Sequence, residues 1–362
     1  MAGFEGTKWA EKQMCYLLKD KSLSFHEIGD KVFSVSPSIH YGIFLAFEGI
    51  RFFCKKNGQT GKMEANFFDL DKNIKRLQRS MKFNLSFEQQ DLLPSYEEIE
   101  DIFKTFFSHS EMKSFFNEMA EQKAQGYFRP FTFDETHSIG VTFPANPSLR
   151  AVICKYDRYL GEPFTGVVIP NLVRAVGING TGCLKLGVNY LISAKAVDKA
   201  RQLFPEASSA LFLDDHPYEP LKSRNITEWD TSCCLIALNN GSVIKIPESN
   251  LILPSITIQG ICSILKKMGV GIIETDISYG ELMEKSNQGE LVALGSVGTA
   301  GILNRAQKLI CINEKGEKIC EHKADQNHEL YQLLGEARTY YWNIFQEKEP
   351  VPPGHKIHKF EL

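Results

Sequence analysis

No stretch of about 18 uninterrupted apolar residues occurs in this 362-residue chain, so a membrane-spanning helix is not expected. The start, Met1 to Asp20, mixes charges throughout and holds no apolar run of signal-peptide length. A dominant charge sign is also missing. Lys plus Arg number 41 against 44 Asp plus Glu, a net charge of −3. That balance offers no field for nucleic acid or an anionic membrane surface. Cys-x-x-Cys is absent as well: the nine cysteines are odd in number and scattered, from Cys15 to Cys320. No zinc ligand set, other metal site or thioredoxin-like couple is therefore expected. Cys154 and Cys233–Cys234 sit in apolar runs and read as small buried hydrophobes, which suits a reduced, cytoplasmic setting. Internal repeats and low-complexity segments are lacking too.

What is present is ordinary globular composition, 43% hydrophobic, at a length that fits two domains better than one. His40 to Phe53 is apolar and aromatic and reads as strand or strand-turn-strand. Asp69 to Met81 is helical by the spacing of Ile74, Leu77 and Met81. Ser95 and Glu98 have capping-box spacing before Ile99, Ile102, Phe103 and Phe106. A polar helix is expected over 111–125, and strands over 126–134 and 149–155. Asp157 to Pro170, with Gly161, Pro163 and Gly166, reads as a domain connection. Beyond it come a glycine-rich turn (Gly177 to Gly182) and a helix over 189–203. Strands follow at 210–213, 232–238 and 242–245, the last two joined by the hairpin signal Asn239-Asn240-Gly241. A helix over 257–268, a strand at 271–274, a short helix, a strand at 290–295 and a helix over 326–345 complete the pattern. The Pro-rich tail reads as loosely ordered. The expected class is mixed α/β (α+β), with a smaller N-terminal domain over 1–157, a loop over 158–170 and a larger domain over 171–362.

Several residues invite chemistry, each with a plainer reading beside it. Gly177-Ile-Asn-Gly-Thr-Gly182 has the wrong order for a dinucleotide loop and lacks the Walker ending, so a tight turn accounts for it. It leads into Leu184-Lys185-Leu186. Apolar flanks desolvate an ammonium and lower its pKa, as a Schiff-base lysine requires; a strand-end lysine with its head in water is the alternative. Thr257 opens a helix whose free N–H groups form a phosphate cradle, or it is only an N-cap. Gly298-Thr299-Ala300 lets backbone amides approach an anion, or is a plain turn. Arg76 lies among Lys72, Lys75 and Arg79, where a solvated basic face is the usual explanation; Glu228 precedes an apolar strand and could pair with anything.

The order of these signals resembles fold-type IV pyridoxal-phosphate enzymes, specifically branched-chain aminotransferases. The resemblance rests on His40-Tyr41-Gly42 with Phe47-Glu48-Gly49-Ile50-Arg51, and on Ile74-Lys75-Arg76-Leu77 with Ser80. Tyr127-Phe128-Arg129-Pro130, Tyr159-Leu160-Gly161 and Lys185-Leu-Gly-Val-Asn-Tyr190 extend it. Leu253-Pro-Ser-Ile-Thr257 and Gly298-Thr-Ala300 complete it, so that it covers roughly residues 34 to 312 in order. It implies a two-domain, D-amino-acid-aminotransferase-like architecture and pyridoxal 5′-phosphate as cofactor. It implies Lys185 as the catalytic Schiff-base residue, with Glu228 at the pyridine nitrogen and Tyr190 on the phenolic oxygen. Arg76, the amides of Ile256 and Thr257, and the Thr299 hydroxyl would hold the phosphate. Thr299 and Ala300 would take the substrate α-carboxylate, and Tyr41, Phe47, Gly49, Tyr127, Arg129 and Tyr159 would line the side-chain pocket. Arg129 would meet the distal carboxylate of glutamate.

The implied reaction is transamination between an L-amino acid with an apolar, branched-chain-like side chain and 2-oxoglutarate. A homodimer is implied too, because Ile139-Gly-Val141 resembles the loop that family sites borrow from a second subunit. The alternatives are another fold-type IV activity (lyase, D-amino-acid transaminase or a specialised biosynthetic reaction) or a non-catalytic cofactor-binding protein. Departures from the pattern keep these open. Val188 replaces a glycine and is expected to add bulk close to the cofactor. Trp229-Asp-Thr-Ser-Cys-Cys234 replaces a glycine-rich segment, and Glu228 lies 43 positions after Lys185, an unusually long interval. One extra residue separates Gly42 from Phe47, Ile258 stands where an arginine is expected, and Arg305 where a proline is.

Overall fold

The computed structural model describes residues 3–32, 34–160, 162–174 and 179–362. Two large sheets organise them, each with helices packed on it. The first sheet is antiparallel throughout. Its strands run in the order Ile357–Glu361, Met63–Phe68, Ile50–Lys56, Gln125–Asp134, Pro147–Tyr156, Lys12–Leu17 and Ser22–Glu27. Helices Leu70–Phe83, Tyr96–Phe107 and Lys113–Gln122 pack on it over a phenylalanine-rich core. Phe52, Phe67, Phe107, Phe116 and Phe128 meet there mostly edge to face, the arrangement aromatic quadrupoles favour. The spacing of Ile74, Leu77 and Met81 does bury one helix face, and the Ser95–Glu98 capping box forms in both directions.

The second sheet is mixed. Its order is Ile226–Trp229, Ser209–Leu213, Phe164–Ile169, Ile302–Ile312, Leu291–Gly298, Cys233–Leu238, Ser242–Lys245 and Gly271–Glu274. Ile226–Trp229 also pairs with Cys233–Leu238 through Glu228 and Cys233, so six strands close into a ring. Trp229 fills that ring, fully buried, with its indole N–H on Gly295 O at 3.1 Å. Gly166 permits this, because a Cβ there would sit 2.4 Å from the indole. Helices Ile256–Lys267 and Glu329–Phe345 pack together over the same core, against Phe53 and Phe68 of the first sheet.

Three expectations need correcting. Within the stretch read as a domain connection, Phe164–Ile169 is a wholly buried strand, because it pairs in parallel on both sides. His40 and Tyr41 are helical rather than extended: Ser36 caps a short helix, Pro37–Tyr41, with Pro at its first position. The tail is ordered. Ile357–Glu361 forms the edge strand of the first sheet, and the residues before it clasp the start of helix Leu70–Phe83. Asp69, fully buried, receives His355 Nδ1 at 2.5 Å and the Lys356 amide at 3.0 Å, while His355 stacks on Phe68. Part of the expected glycine-rich turn (residues 177 and 178) and Gly161 lie outside the described residues.

His355→Ala leaves the Asp69 carboxylate buried with one partner fewer. It is expected to lower the unfolding free energy by about 1–3 kcal/mol, seen as a lower urea midpoint at unchanged slope. An unchanged midpoint would mean that the tail is held by its strand pairing alone.

Candidate active site

The segment Leu45–Arg51, running into the first sheet, lies against the lysine. Phe47 N donates to Lys185 O at 3.0 Å, Gly187 N donates to Leu45 O at 2.9 Å, and Lys185 N donates to Ser80 Oγ at 3.1 Å. The Lys185 backbone is thus pinned from two directions and its side chain enters a cavity of about 400 Å³. Nζ donates to Tyr190 OH at 3.0 Å and lies 4.8 Å from the centre of the Phe47 ring. Lys185 is half-buried, with its head in this cavity. Tyr190 is reached because Asn189, bonded to Thr181 and to Leu184 O, turns the chain into helix Tyr190–Leu203. Burial pushes the Tyr190 phenol up, but the Lys185 ammonium and the Arg174 guanidinium outweigh it and leave the phenol more acidic than usual.

Phe47, Tyr127, Arg129, Thr299 and Ala300 share this cavity with Lys185 and Tyr190. Arg129 Nη2 donates to Tyr127 OH at 2.8 Å, and its guanidinium lies over the Phe47 and Tyr127 rings at 4.6 and 5.1 Å. No carboxylate among the described residues pairs with it. Gly49 is required beside them, since a Cβ there would meet Tyr127 Oη at 2.1 Å. Gly49, Ile256, Thr257 and Thr299 line a small adjoining pocket with Arg51 and Asn73. Ser255 caps helix Ile256–Lys267 by accepting from Ile258 N, which leaves the first two amides, of Ile256 and Thr257, for another acceptor. Arg51 donates Nε and Nη2 to Thr299 O, and Nη2 also meets Ala300 O. A trans peptide points C=O and N–H in opposite directions, so the amides of Ala300 and Gly301 face away from Arg51, toward the cavity.

Two buried ion pairs stand behind these residues. Arg76 forks onto Glu48 at 2.6 and 2.7 Å and donates to Pro254 O at 2.7 Å. Burial opposes a charged Glu48, yet Arg76 prevails and holds its carboxyl below the usual range. Arg174 Nη1 lies 2.6 Å from Glu228 Oε1, which also accepts from Leu253 N at 3.3 Å. Here burial prevails: Glu228 is pushed up to about 7 despite Arg174.

Not every expected residue comes to the cavity. Tyr41 is about half exposed and stands outside it, its hydroxyl donating to Ile139 O at 3.0 Å. Of Tyr159 only the backbone, in strand Arg158–Leu160, is described. Val188 does not crowd the cavity; it is half exposed and packs toward Gly42. Conversely, Thr231, Ser232, Ser296 and Asn304 line the cavity without having been singled out. They meet only through strand register, with Ser296 opposite Cys234 on one side and Asn304 on the other. Glu48 was legible within Phe47-Glu-Gly-Ile-Arg51, but its role was not; Arg174, eleven residues before Lys185, carried no signal.

The model of the amino-transferase class IV family matches residues 45–299, most of the chain. The chain belongs to this family. It is an aminotransferase, and class IV members work with pyridoxal 5′-phosphate. The aminotransferase is 28% identical over 282 residues to a probable branched-chain-amino-acid aminotransferase of Staphylococcus aureus (strain N315), covering 75% of this chain and 70% of that one. In structure it is similar to the branched-chain aminotransferase of Thermoproteus uzoniensis with norvaline. The TM-score there is 0.68 at 22% identity, over 93% of this chain and 96% of the other. The pyridoxal-phosphate form of the enzyme from Thermobaculum terrenum gives a TM-score of 0.66 at 14% identity, over 94% and 95%. Both structures agree with a fold-type IV architecture.

The Glu228 position predicts a pH signature. An acid raised from 4.5 to about 7 on folding makes the folded state bind more protons than the unfolded one between those values. Stability from this group is therefore full below pH 4.5 and is lost as pH rises through 7. The carboxylates held low, such as Glu48 and Asp69, act only below the ordinary carboxylate range. In urea unfolding of the cofactor-free protein, Glu228→Gln should remove a decline of about 2–4 kcal/mol between pH 4.5 and 8. Parallel wild-type and variant curves would place the Glu228 pKa at its ordinary value.

Proposed function

We propose that this enzyme moves an amino group between an L-amino acid with an apolar, branched-chain-like side chain and 2-oxoglutarate. The observation that carries the reading is Lys185 Nζ held at 3.0 Å by Tyr190 OH, in a cavity bounded by the Thr299–Ala300 turn and Arg129. The donor set fits pyridoxal 5′-phosphate. Lys185 offers an amine for the aldehyde and Tyr190 a phenol for the ring oxygen inside the cavity, while the buried Glu228 carboxyl, for the ring nitrogen, and the helix start beside Arg76 lie outside its lining and in this reading serve it from behind. Bound there, the cofactor supplies an electron sink for the pair left when the substrate's α-C–H bond breaks.

The chain's own residues supply the rest. Lys185 Nζ would take the proton from the substrate α-carbon and hold it for return within the same cavity. Tyr190, already acidified, accepts the hydrogen bond that keeps Nζ in reach. Glu228, tethered by Arg174, keeps a proton on the ring nitrogen. Arg76, the amides of Ile256 and Thr257, and the Thr299 hydroxyl hold the phosphate. The amides of the 299–301 turn take the α-carboxylate. Phe47, Gly49 and Tyr127 form the side-chain wall, and Arg129 swings to a distal carboxylate when the acceptor is dicarboxylic.

In this reading the site sits at the seam between a unit ending near residue 157 and one that already includes strand Phe164–Ile169. Tyr41, Ile139, Val141 and Phe143 leave apolar surface exposed, which supports a homodimer whose second copy covers it and brings Tyr41 into the reaction. The free thiols of all nine cysteines accord with a cytoplasmic protein. A second reading is a fold-type IV reaction on a more polar substrate. It is favoured by the hydroxyl pair Ser232–Ser296 at 2.6 Å and by Asn304 Oδ1, buried with no hydrogen-bond partner among the described residues, both at the cavity wall.

Lys185→Ala should abolish the aldimine-type absorbance of the purified enzyme and cut turnover by at least about 10²–10⁴-fold. If turnover persists, Lys185 is not the proton carrier. Single additions of L-leucine, L-valine and L-glutamate to the wild type should bleach that band; no response to any of them favours the second reading. Arg129→Met should raise KM for 2-oxoglutarate roughly ten- to a hundredfold, the worth of a charge-assisted hydrogen bond, and spare L-leucine. Equal effects on both substrates would remove Arg129 from acceptor recognition.

A further inference from the structure

Behind the 299–301 turn, on the side away from Lys185, lies a second cavity of about 320 Å³. Ala300 and Gly301 line both cavities, so one backbone turn is the partition between them. The walls of the second are Arg51, Arg305 and Arg338, with Glu162, Thr339 and Trp342. Three guanidinium groups thus face one carboxylate. Glu162 receives Arg305 Nε and Arg338 Nη1, and Arg305 Nη1 donates to Tyr331 O at 3.2 Å. Arg305 Nη2 and Arg338 Nε and Nη2 make no hydrogen bond among the described residues.

Gly335 makes room for this arrangement. It lies inside helix Glu329–Phe345, where glycine costs about 1 kcal/mol relative to alanine. A Cβ there would sit 2.7 Å from Arg305 Nη1 and displace the guanidinium. Arg305 is also the residue that stands in place of the proline expected from the family pattern, a charge added rather than a charge retained. The cavity is therefore cationic by construction, and Arg338 keeps a Nε–Nη2 edge, the fork suited to oxyanions, with Arg305 Nη2 as a further single donor.

We propose that this cavity binds a small dianion through carboxylate or phosphate oxygens, and that the bound anion acts on the substrate turn through Arg51. Arg51 reaches both sides: it lines the cavity and holds the carbonyls of Thr299 and Ala300. An anion drawing on Arg51 loosens or redirects those carbonyls, and with them the amides on the opposite side of the same peptide planes. The coupling rests on the turn receiving substrate; the binding itself does not.

The test uses holoenzyme, so that the cofactor's own phosphate occupies its cradle. Thermal shift and calorimetric titration with inorganic phosphate, and separately with succinate, are compared with potassium chloride at matched ionic strength. Saturable stabilisation by at least one of the two anions is expected, and which one responds identifies the chemistry. Arg338→Gln should weaken it by about tenfold or more while leaving kcat without added anion unchanged. Glu162→Gln, which removes the competing carboxylate, should tighten it, whereas a merely structural ion-pair network would only lose stability. No saturable shift with either anion, or affinity indifferent to both substitutions, overturns the site. Saturating anion should also shift the amino-donor KM by about twofold or more in the wild type and not in Arg338→Gln. An insensitive KM with binding intact overturns the coupling alone.

Discussion

Glu48 carries a carboxylate with no exposure to solvent, and the site is assembled around its neutralisation. A buried charge without a partner costs several kcal/mol, so Arg76 and Asn73 must be brought to it. That fixes helix Leu70–Phe83 against the segment entering the first sheet. Arg76 then reaches Pro254 O, which fixes the start of helix Ile256–Lys267 from the second. Neighbouring residues of the same segment do related work. Phe47 holds the Lys185 carbonyl, Gly49 admits Tyr127, and Arg51 holds the Thr299 and Ala300 carbonyls. Five residues of chain therefore set the distances between the lysine, the helix start and the turn.

The charge layout follows from that constraint. Glu48 with Arg76 and Glu228 with Arg174 are paired internally. Lys185 and Arg129, both at the cavity, have no carboxylate partner among the described residues, so the cavity is left with positive charge and outward-facing amides. An anionic amino acid or 2-oxo acid enters such a space favourably. The two pairs also differ in kind. Around Glu48 the arginine fork defeats desolvation; around Glu228 a single contact does not, which leaves that carboxyl poised to hold or share a proton near neutrality.

Much of this was legible along the chain because its signals are local. Ile74, Leu77 and Met81 mark a buried helix face, Ser95 and Glu98 a cap, and Asn239 to Gly241 a hairpin, all within a few residues. The placement of Lys185, Tyr190, Arg129 and Thr299 was legible through motif order. What was hidden depends on partners distant in sequence. A six-residue segment such as Phe164–Ile169, with Thr165 and Gly166 inside it and Gly161 and Pro163 before it, resembles a linker, and only parallel neighbours on both sides make it a central strand. The tail strand needs Met63–Phe68 as its template, and the His355 clasp needs Asp69, 286 positions away. Ser232, Ser296 and Asn304 converge by register in a ring that no linear pattern announces.

The departures from the family pattern sort by place, and their places are informative. Val188 turns out toward Gly42 and leaves the lysine untouched. In the segment after Glu228, Trp229 fills the ring and Asp230 ties Ser209 and Ala210, so the bulk and charge that replace glycine serve packing. Thr231 and Ser232, next in line, reach the cavity and make its wall polar. Arg305 leaves the cavity altogether and charges the space behind the turn. The residues that match the family motifs thus keep their places around Lys185, while the surfaces around them differ from the pattern. Proton transfer depends on the former, whereas selectivity rests on differences of a few kcal/mol at the latter. The aminotransferase chemistry of this enzyme therefore follows from its family, and the polar wall is where a difference in substrate choice would be looked for.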